Sequence, residues 1–277
     1  MDGTKGIEHC GILSAPPGRD LLYHYTDFGA ARKILQSQTF LMNPYSRMRD
    51  PLENRALPRL LRYHPDSTTE NLLPIEEARS TLAELRGQMR ILSFTSDVSG
   101  YDAPSEVLFG KGYARPRMWE TYADIHRGVC FVLDAQSVAE GWMRGQLQSI
   151  GGTNISPVKY SPTGFIGDPV VTLPDIPDDD RAAEALCNHL DLHNEAFWFL
   201  KLCDWNTEFE YRLVVFPENV ADDEPVFVNI GQALKAVVVG ALVPKEGLAE
   251  MDELCEPNGV GVHQLDWRSG RPSLVTR

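Results

Sequence analysis

The stretch Glu208-Phe209-Glu210-Tyr211-Arg212-Leu213-Val214-Val215-Phe216 decides the fold class. Its alternation has a period of two, and β-branched and aromatic residues fill its second half, so it predicts a strand over 208–216. Alternate residues of a strand face the same way. Glu208, Glu210 and Arg212 therefore share one face, and Phe209, Tyr211 and Leu213 the other. Two carboxylates on one face can divide labour: one stabilises positive charge developing on a sugar ring, and the other accepts a proton from a nucleophile. The same pattern also suits a polar strand edge facing solvent.

Downstream, residues 226–230, 236–240 and 261–265 read as further strands, giving a β-rich C-terminal half. Upstream, 181–202 reads as the longest helix, with Asp178, Asp179 and Asp180 before its start, where carboxylates favour the positive end of the helix dipole. Residues 161–180 carry Pro162, Pro169, Pro174 and Pro177 and read as a long loop or flap. Nearer the N-terminus, 21–25 reads as a strand, followed by a helix over 28–37 capped by Asp27 and a strand over 39–42. Helices are expected at 51–63, 74–88 and 117–125, and strands at 90–95, 128–133 and 155–160. Strands grouped together with helices at the sides predict an α+β fold, in one domain over 21–270 behind an N-terminal extension over 1–20. No GxGxxG follows a strand, which removes support for a Rossmann site.

Composition narrows the setting. The chain has 277 residues, 43% hydrophobic and 23% charged, enough for one large core. No apolar run is long enough to span a bilayer and the first residues lack a signal-peptide core, so a cytoplasmic protein with no membrane contact is expected. Five dispersed cysteines without CxxC spacing point to reduced thiols. The net charge is -13, carried entirely by residues 131–277; residues 1–130 hold 16 basic and 16 acidic residues. Such a surface repels phosphate backbones, although Arg47, Arg49, Arg55, Arg59 and Arg62 form a local basic group.

Three further segments can carry chemistry. In Tyr23-His24-Tyr25-Thr26, a histidine at a strand end can hydrogen-bond a ribose hydroxyl, or simply pack. In Ser93-Phe94-Thr95-Ser96, Ser93 and Thr95 face together and can orient a carboxylate. Around Met118-Trp119-Glu120-Thr121-Tyr122-Ala123-Asp124-Ile125-His126, helical spacing puts Trp119, Tyr122 and His126 on one face, which can stack an aromatic ring or serve as core. His189 and His193 are spaced for zinc, but position 190 is Leu190 and no third ligand is evident. No G-x-S-x-G elbow and no P-loop is present.

A histidine on the first strand, an S-x-T on a middle strand and an E-x-E on a late strand resemble, in that order, the site of the ADP-ribosyltransferase superfamily. Asn43-Pro44, Asp50-Pro51-Leu52-Glu53, Ser93-Phe94-Thr95, Met118 through Val129, Val158-Lys159-Tyr160 and Trp205 through Arg212 are also similar to a bacterial domain family of unknown function. That family shows NDPxE, SFS, MWxxYAxxHxGV and ExEYR motifs; this chain departs at Arg49, where the family usually has Asn. The second resemblance implies no activity. The first implies a split β-sandwich of two small antiparallel sheets with flanking helices, with NAD+ as substrate between them. His24 and Ser93 would then fix the nicotinamide-side ribose, Thr95 would orient the carboxylate, and Tyr25, Trp119 or Tyr122 would pack on the nicotinamide, with His126 and Asp50 completing the cofactor-binding set. Glu210 would hydrogen-bond the ribose 2′-OH, and Glu208 would position or deprotonate a protein or nucleic-acid acceptor.

The resemblance also implies a toxin or anti-phage setting with a regulatory partner protein. NAD+ hydrolysis, with water as acceptor, uses the same site. A metal-dependent nuclease built on Asp50, Glu53, Glu208 and Lys201 and a non-catalytic interaction module are the other expectations.

Overall fold

The structure is a computed structural model that describes residues 20–48, 87–98, 107–162, 198–217 and 224–276, with short pieces at 8–9, 12–13, 61–63, 83–84, 100, 171–173 and 220. Ten strands form its main sheet: β1 (Leu21–Thr26), β2 (Thr39–Pro44), β3 (Arg90–Ser96), β4 (Val129–Asp134), β5 (Gly151–Pro157), β6 (Glu210–Pro217), β7 (Val226–Asn229), β8 (Leu234–Val239), β9 (Gly261–Arg268) and β10 (Arg271–Thr276). Their order is β7-β2-β3-β1-β4-β8-β9-β10, with β6 joined to β3 and β5. Pairing is antiparallel except between β8 and β9, which the helix Lys245–Cys255 connects as a crossover. Three two-stranded pairs lie apart from it, among them Lys159–Ser161 with Leu200–Leu202. The class is mixed α+β.

The sheet is buried on both faces because its central strands send apolar side chains into both cores. In β4 all six residues are buried. Val129, Phe131 and Leu133 enter one core with Leu22, Phe40, Phe94 and Trp142, while Cys130 and Val132 enter the other with Tyr23, Tyr25 and Trp119. The first core is covered by α1 (Phe28–Ser37), through Ala31 and Leu35, and by Lys245–Cys255, through Leu248 and Met251. Asp27 starts α1 by accepting the Ala30 N–H at 2.8 Å, a cap worth about 1 kcal/mol.

The site rests on a fork in this sheet. One edge of β3 is paired with β6 from Thr95–Glu210 to Arg90–Val215. The other edge is divided: β1 takes Ser96 and Thr95, opposite Leu22 and Tyr23, and β2 takes Ile91 and Arg90, opposite Asn43 and Pro44. Between these contacts β1 turns away toward β4, with which it pairs along its whole length. The carbonyl of Ser93 falls in the gap, where it accepts a hydrogen bond from His24 Nδ1 at 3.0 Å in place of a backbone partner.

Several expectations meet a different geometry. The segment at 117–125 is helical only over Pro116–Tyr122 (α2). Asp124, Ile125 and His126 follow with φ of 44°, 51° and 64°, a left-handed run that turns the chain into β4. Backbone bonds from His126 N to Trp119 O and from Gly128 N to Ala123 O hold that turn. Leu200–Leu202 is extended rather than the end of a helix, and Leu61–Tyr63 is extended where a helix was expected. Most of the helices expected at 51–63, 74–88 and 181–202, and the loop at 161–180, lie outside the described residues. The last strand continues to Thr276, beyond the boundary read at 270.

Gly240 packs against the left-handed turn: a Cβ there would lie 2.1 Å from the His126 carbonyl oxygen. Backbone cannot yield as a side-chain tip can. Gly240→Ala is expected to lower the unfolding free energy by roughly 2–3 kcal/mol, as overpacking does; a urea titration checks it, and an unchanged midpoint would show that the turn is free to shift.

Candidate functional site

The fork opens onto a cavity of about 300 Å³. His24, Ser93, Tyr122, Lys201, Glu208 and Glu210 all face it, and Tyr25, Trp205 and Arg47 lie on its wall or mouth. Strand β6 begins at Glu210, whose main-chain N–H donates to the Tyr160 hydroxyl at 2.8 Å. Register places Glu210 opposite Thr95 and Arg212 opposite Ser93, so these four residues share the face turned from the larger core.

Glu210 is enclosed by donors. Its Oε1 accepts from the Ser93 hydroxyl at 2.6 Å and from Arg212 Nε at 2.8 Å. Its Oε2 accepts from the second guanidinium nitrogen at 3.0 Å and lies 2.7 Å from Lys201 Nζ. Arg212 is completely buried and also donates to the Trp198 carbonyl at 2.6 Å. The planar fork of an arginine matches both carboxylate oxygens, which is why this pair tolerates burial. Burial alone would raise the pKa of Glu210, but Arg212 and Lys201 outweigh it and bring that pKa from 4.5 down to about 2.

Glu208 reaches the same cavity by a different route. It closes the 3₁₀ turn Cys203–Glu208, and Phe209 follows in the left-handed region, with φ 46° and ψ 48°. The two glutamates therefore do not alternate along one strand, as spacing alone implies. A kink at Phe209, stacked under the Arg115 guanidinium at 4.1 Å, swings Glu208 inward. Thr95 secures that turn, its hydroxyl donating to the Glu208 carbonyl. The Glu208 carboxylate accepts from Tyr122 at 2.6 Å and from Lys201 Nζ at 2.9 Å. Burial and the facing Glu208 charge push the Tyr122 hydroxyl well above its usual range, so it stays a donor.

His24 is held neutral. Burial lowers its pKa from 6.5, against the opposing bond to Ser93. A carbonyl can only accept, so Nδ1 carries the proton and Nε2 is the acceptor of the ring. Phe40 stands edge-on to the imidazole at 4.8 Å.

The structure thus brings His24, Tyr25, Ser93, Tyr122, Glu208 and Glu210 to one cavity. Thr95 supports it from beneath. Trp119 and His126 stand elsewhere. Trp119 is fully buried, donates from Nε1 to the Tyr113 carbonyl at 2.7 Å and stacks on His126 at 6.2 Å, because α2 ends at Tyr122 and the turn carries His126 away. Asp50, Glu53, His189, His193 and Asp178–Asp180 lie outside the described residues. Among the described residues, no group of three or more His, Cys, Asp or Glu side chains is arranged to hold a metal ion, and no helix is long and apolar enough to cross a membrane. The three described cysteines, Cys130, Cys203 and Cys255, are free thiols.

Sequence reasoning left out Lys201 as a partner of both glutamates, as well as Tyr160 and Trp205. Tyr160 and Trp205 sit in segments shared with the family of unknown function. Lys201, seven residues before Glu208, carries no local signal. Comparisons with protein-family models, curated proteins and solved structures find no match to this chain.

Because the folded pKa of Glu210 lies below its ordinary 4.5, its contribution to stability is present above about pH 4.5 and is lost as pH falls toward about 2. Urea unfolding from neutral pH to about pH 3 is expected to show a steeper loss of stability in the wild type than in Glu210→Gln. Parallel curves would mean that Arg212 and Lys201 do not hold this carboxylate in solution.

Proposed function

We propose that the cavity binds NAD+ and that the chain cleaves the bond between nicotinamide and ribose, passing ADP-ribose to a macromolecular acceptor. The observation that carries this reading is the convergence of His24, Ser93 and Glu210, from three different strands, on one concave site linked by direct hydrogen bonds. In this reading the fork is the cleft of an ADP-ribosyltransferase-like split β-sandwich, with β1 on one side and β3 with β6 on the other.

The chemistry follows from the side chains. His24 Nε2 accepts a hydroxyl of the nicotinamide-side ribose, and the Ser93 hydroxyl and Glu210 hold the 2′-OH. Tyr25 and Tyr122 flank the nicotinamide. As the C1′–N1 bond breaks, its electron pair passes to the pyridinium nitrogen, which leaves as neutral nicotinamide. Glu210 lies against the positive charge that develops on the ribose, a placement typically worth several kcal/mol. The acceptor nucleophile then bonds to C1′ and loses its proton to Glu208. The acidic second half of the chain favours a cationic protein acceptor over nucleic acid. With water as acceptor, the same steps give an NAD+ glycohydrolase. A cytoplasmic toxin or anti-phage effector held in check by a partner protein is the setting this activity suits.

One observation favours a second reading, a non-catalytic interaction module. Glu210 accepts from four protein donors, which satisfies the carboxylate without any ligand.

Purified protein incubated with NAD+, alone and with cell extract, is expected to release nicotinamide, and Glu210→Gln to slow that release at least about a hundredfold. Label from the ADP-ribose half appearing on a macromolecule identifies transfer; free ADP-ribose identifies hydrolysis. No release under either condition supports the interaction module.

A further inference from the structure

Among the described residues, Lys201 is the cation that touches both glutamates. Its Nζ lies 2.9 Å from Glu208 Oε2 and 2.7 Å from Glu210 Oε2, and 5.3 Å from the centre of the Trp205 ring. Its side chain is 5% exposed, as is that of Glu208. The surroundings of the two carboxylates are not equivalent. Glu210 has Arg212 beside it on its own strand, the Ser93 hydroxyl from β3, and Tyr160 at its main chain. Glu208 faces the Tyr122 hydroxyl from α2, with Thr95 at its carbonyl and Trp205 in its own turn; the neutral His24 stands behind Ser93. Arg117 lies 5.9 Å from the Trp205 ring, and Arg47 is exposed at the cavity mouth. Among the described residues, the contacts to Glu208 therefore include a single formal charge of opposite sign, and Lys201 supplies it.

From this we infer that Lys201 is a positioning residue: it is the shared counter-ion that lets Glu208 and Glu210 carry charge at the same time, and it makes the pair, not either glutamate alone, the functional unit. Two buried carboxylates that reach the same nitrogen become a like-charge pair once that nitrogen is removed. Such a pair takes up a proton in weakly acidic to neutral solution. In the NAD+-cleaving reading, that proton removes the base that accepts from the acceptor nucleophile, so Lys201 sets the pH range of the reaction without itself touching the reacting atoms.

The test is a carboxyl NMR titration of protein labelled with ¹³C-glutamate, comparing wild type, Lys201→Met and Lys201→Arg. Lys201→Met is expected to show one added carboxyl titrating between about pH 5 and pH 8 that is absent from the wild type and from Lys201→Arg. The double variant Glu208→Gln/Lys201→Met removes the like-charge partner and is expected to lose that titration. It also serves if Lys201→Met does not fold: Glu210 in the double variant must then still titrate at low pH beside Arg212, and a Glu210 that titrates near neutrality overturns the assignment. A Lys201→Met protein whose glutamates show no added titration in this window also overturns it.

The activity arm rests on the proposed function. Nicotinamide release by Lys201→Met is expected to gain an acidic limb in the same pH range, falling about tenfold per pH unit, with Lys201→Arg restoring the wild-type profile. If the wild type releases no nicotinamide, the proposed function fails while the NMR titration still decides the role of Lys201.

Discussion

The two-pronged contact between Arg212 and Glu210 is the constraint on which the rest of the site depends. Each group is an ion removed from water, and the removal of either ion from water costs several kcal/mol unless a partner compensates for it. Compensation here is geometric. The guanidinium presents two nitrogens to two oxygens, the Trp198 carbonyl takes a third donor, and the Ser93 hydroxyl fills the remaining position on Oε1. None of this works unless β6 lies against β3 in the observed register, with Arg212 opposite Ser93 and Glu210 opposite Thr95. A one-residue slip would turn both charges toward Leu92 and Phe94 in the larger core. The ion pair is therefore a register device for the sheet as well as part of the candidate site.

Charge balance extends outward from that pair. Two glutamates face one lysine and one arginine, and the neighbouring histidine is neutral, so the buried cluster carries no formal net charge in a chain of net charge -13. Neutrality explains how four ionised side chains fit between two apolar layers. It also sets a limit on the proposed chemistry: the field that Glu210 exerts on a developing cation is reduced by Arg212, and Glu208, beside a shared lysine, is the less compensated of the two.

Much of the scaffold was legible in the sequence because its signals are local. Asp27 before an apolar-periodic segment starts α1, the unbroken apolar run in β4 marks a strand buried on both faces, and the alternation after Glu210 marks β6. The α+β class follows from these. What was not legible depends on backbone conformations that no residue type announces. Phe209 and the run Asp124–His126 adopt left-handed φ values without glycine, held by tertiary contacts. Helical spacing therefore misplaced His126, and strand alternation gave the right face for Glu208 by the wrong geometry. Lys201 was hidden for a third reason: it reads as the end of a helix, whereas Leu200–Leu202 is drawn out as a strand by pairing with Lys159–Ser161, forty residues earlier in the chain.

The fork in the sheet governs how a guest would be received. The sides of the split are the strands β1, β3 and β6, tied to neighbours by backbone hydrogen bonds, and the histidine beside it is tied to a strand carbonyl rather than to a loop. Widening the split between these strands would require breaking ladder bonds, so that part of the cavity is shaped before any guest arrives. A guest that fits gives up its own freedom but asks little ordering of the host, and one that is too wide cannot be accommodated by gradual adjustment. Discrimination in such a space would come from stiffness, so residues far from the cavity that hold β1 against β4 would act on selectivity alongside those that line it.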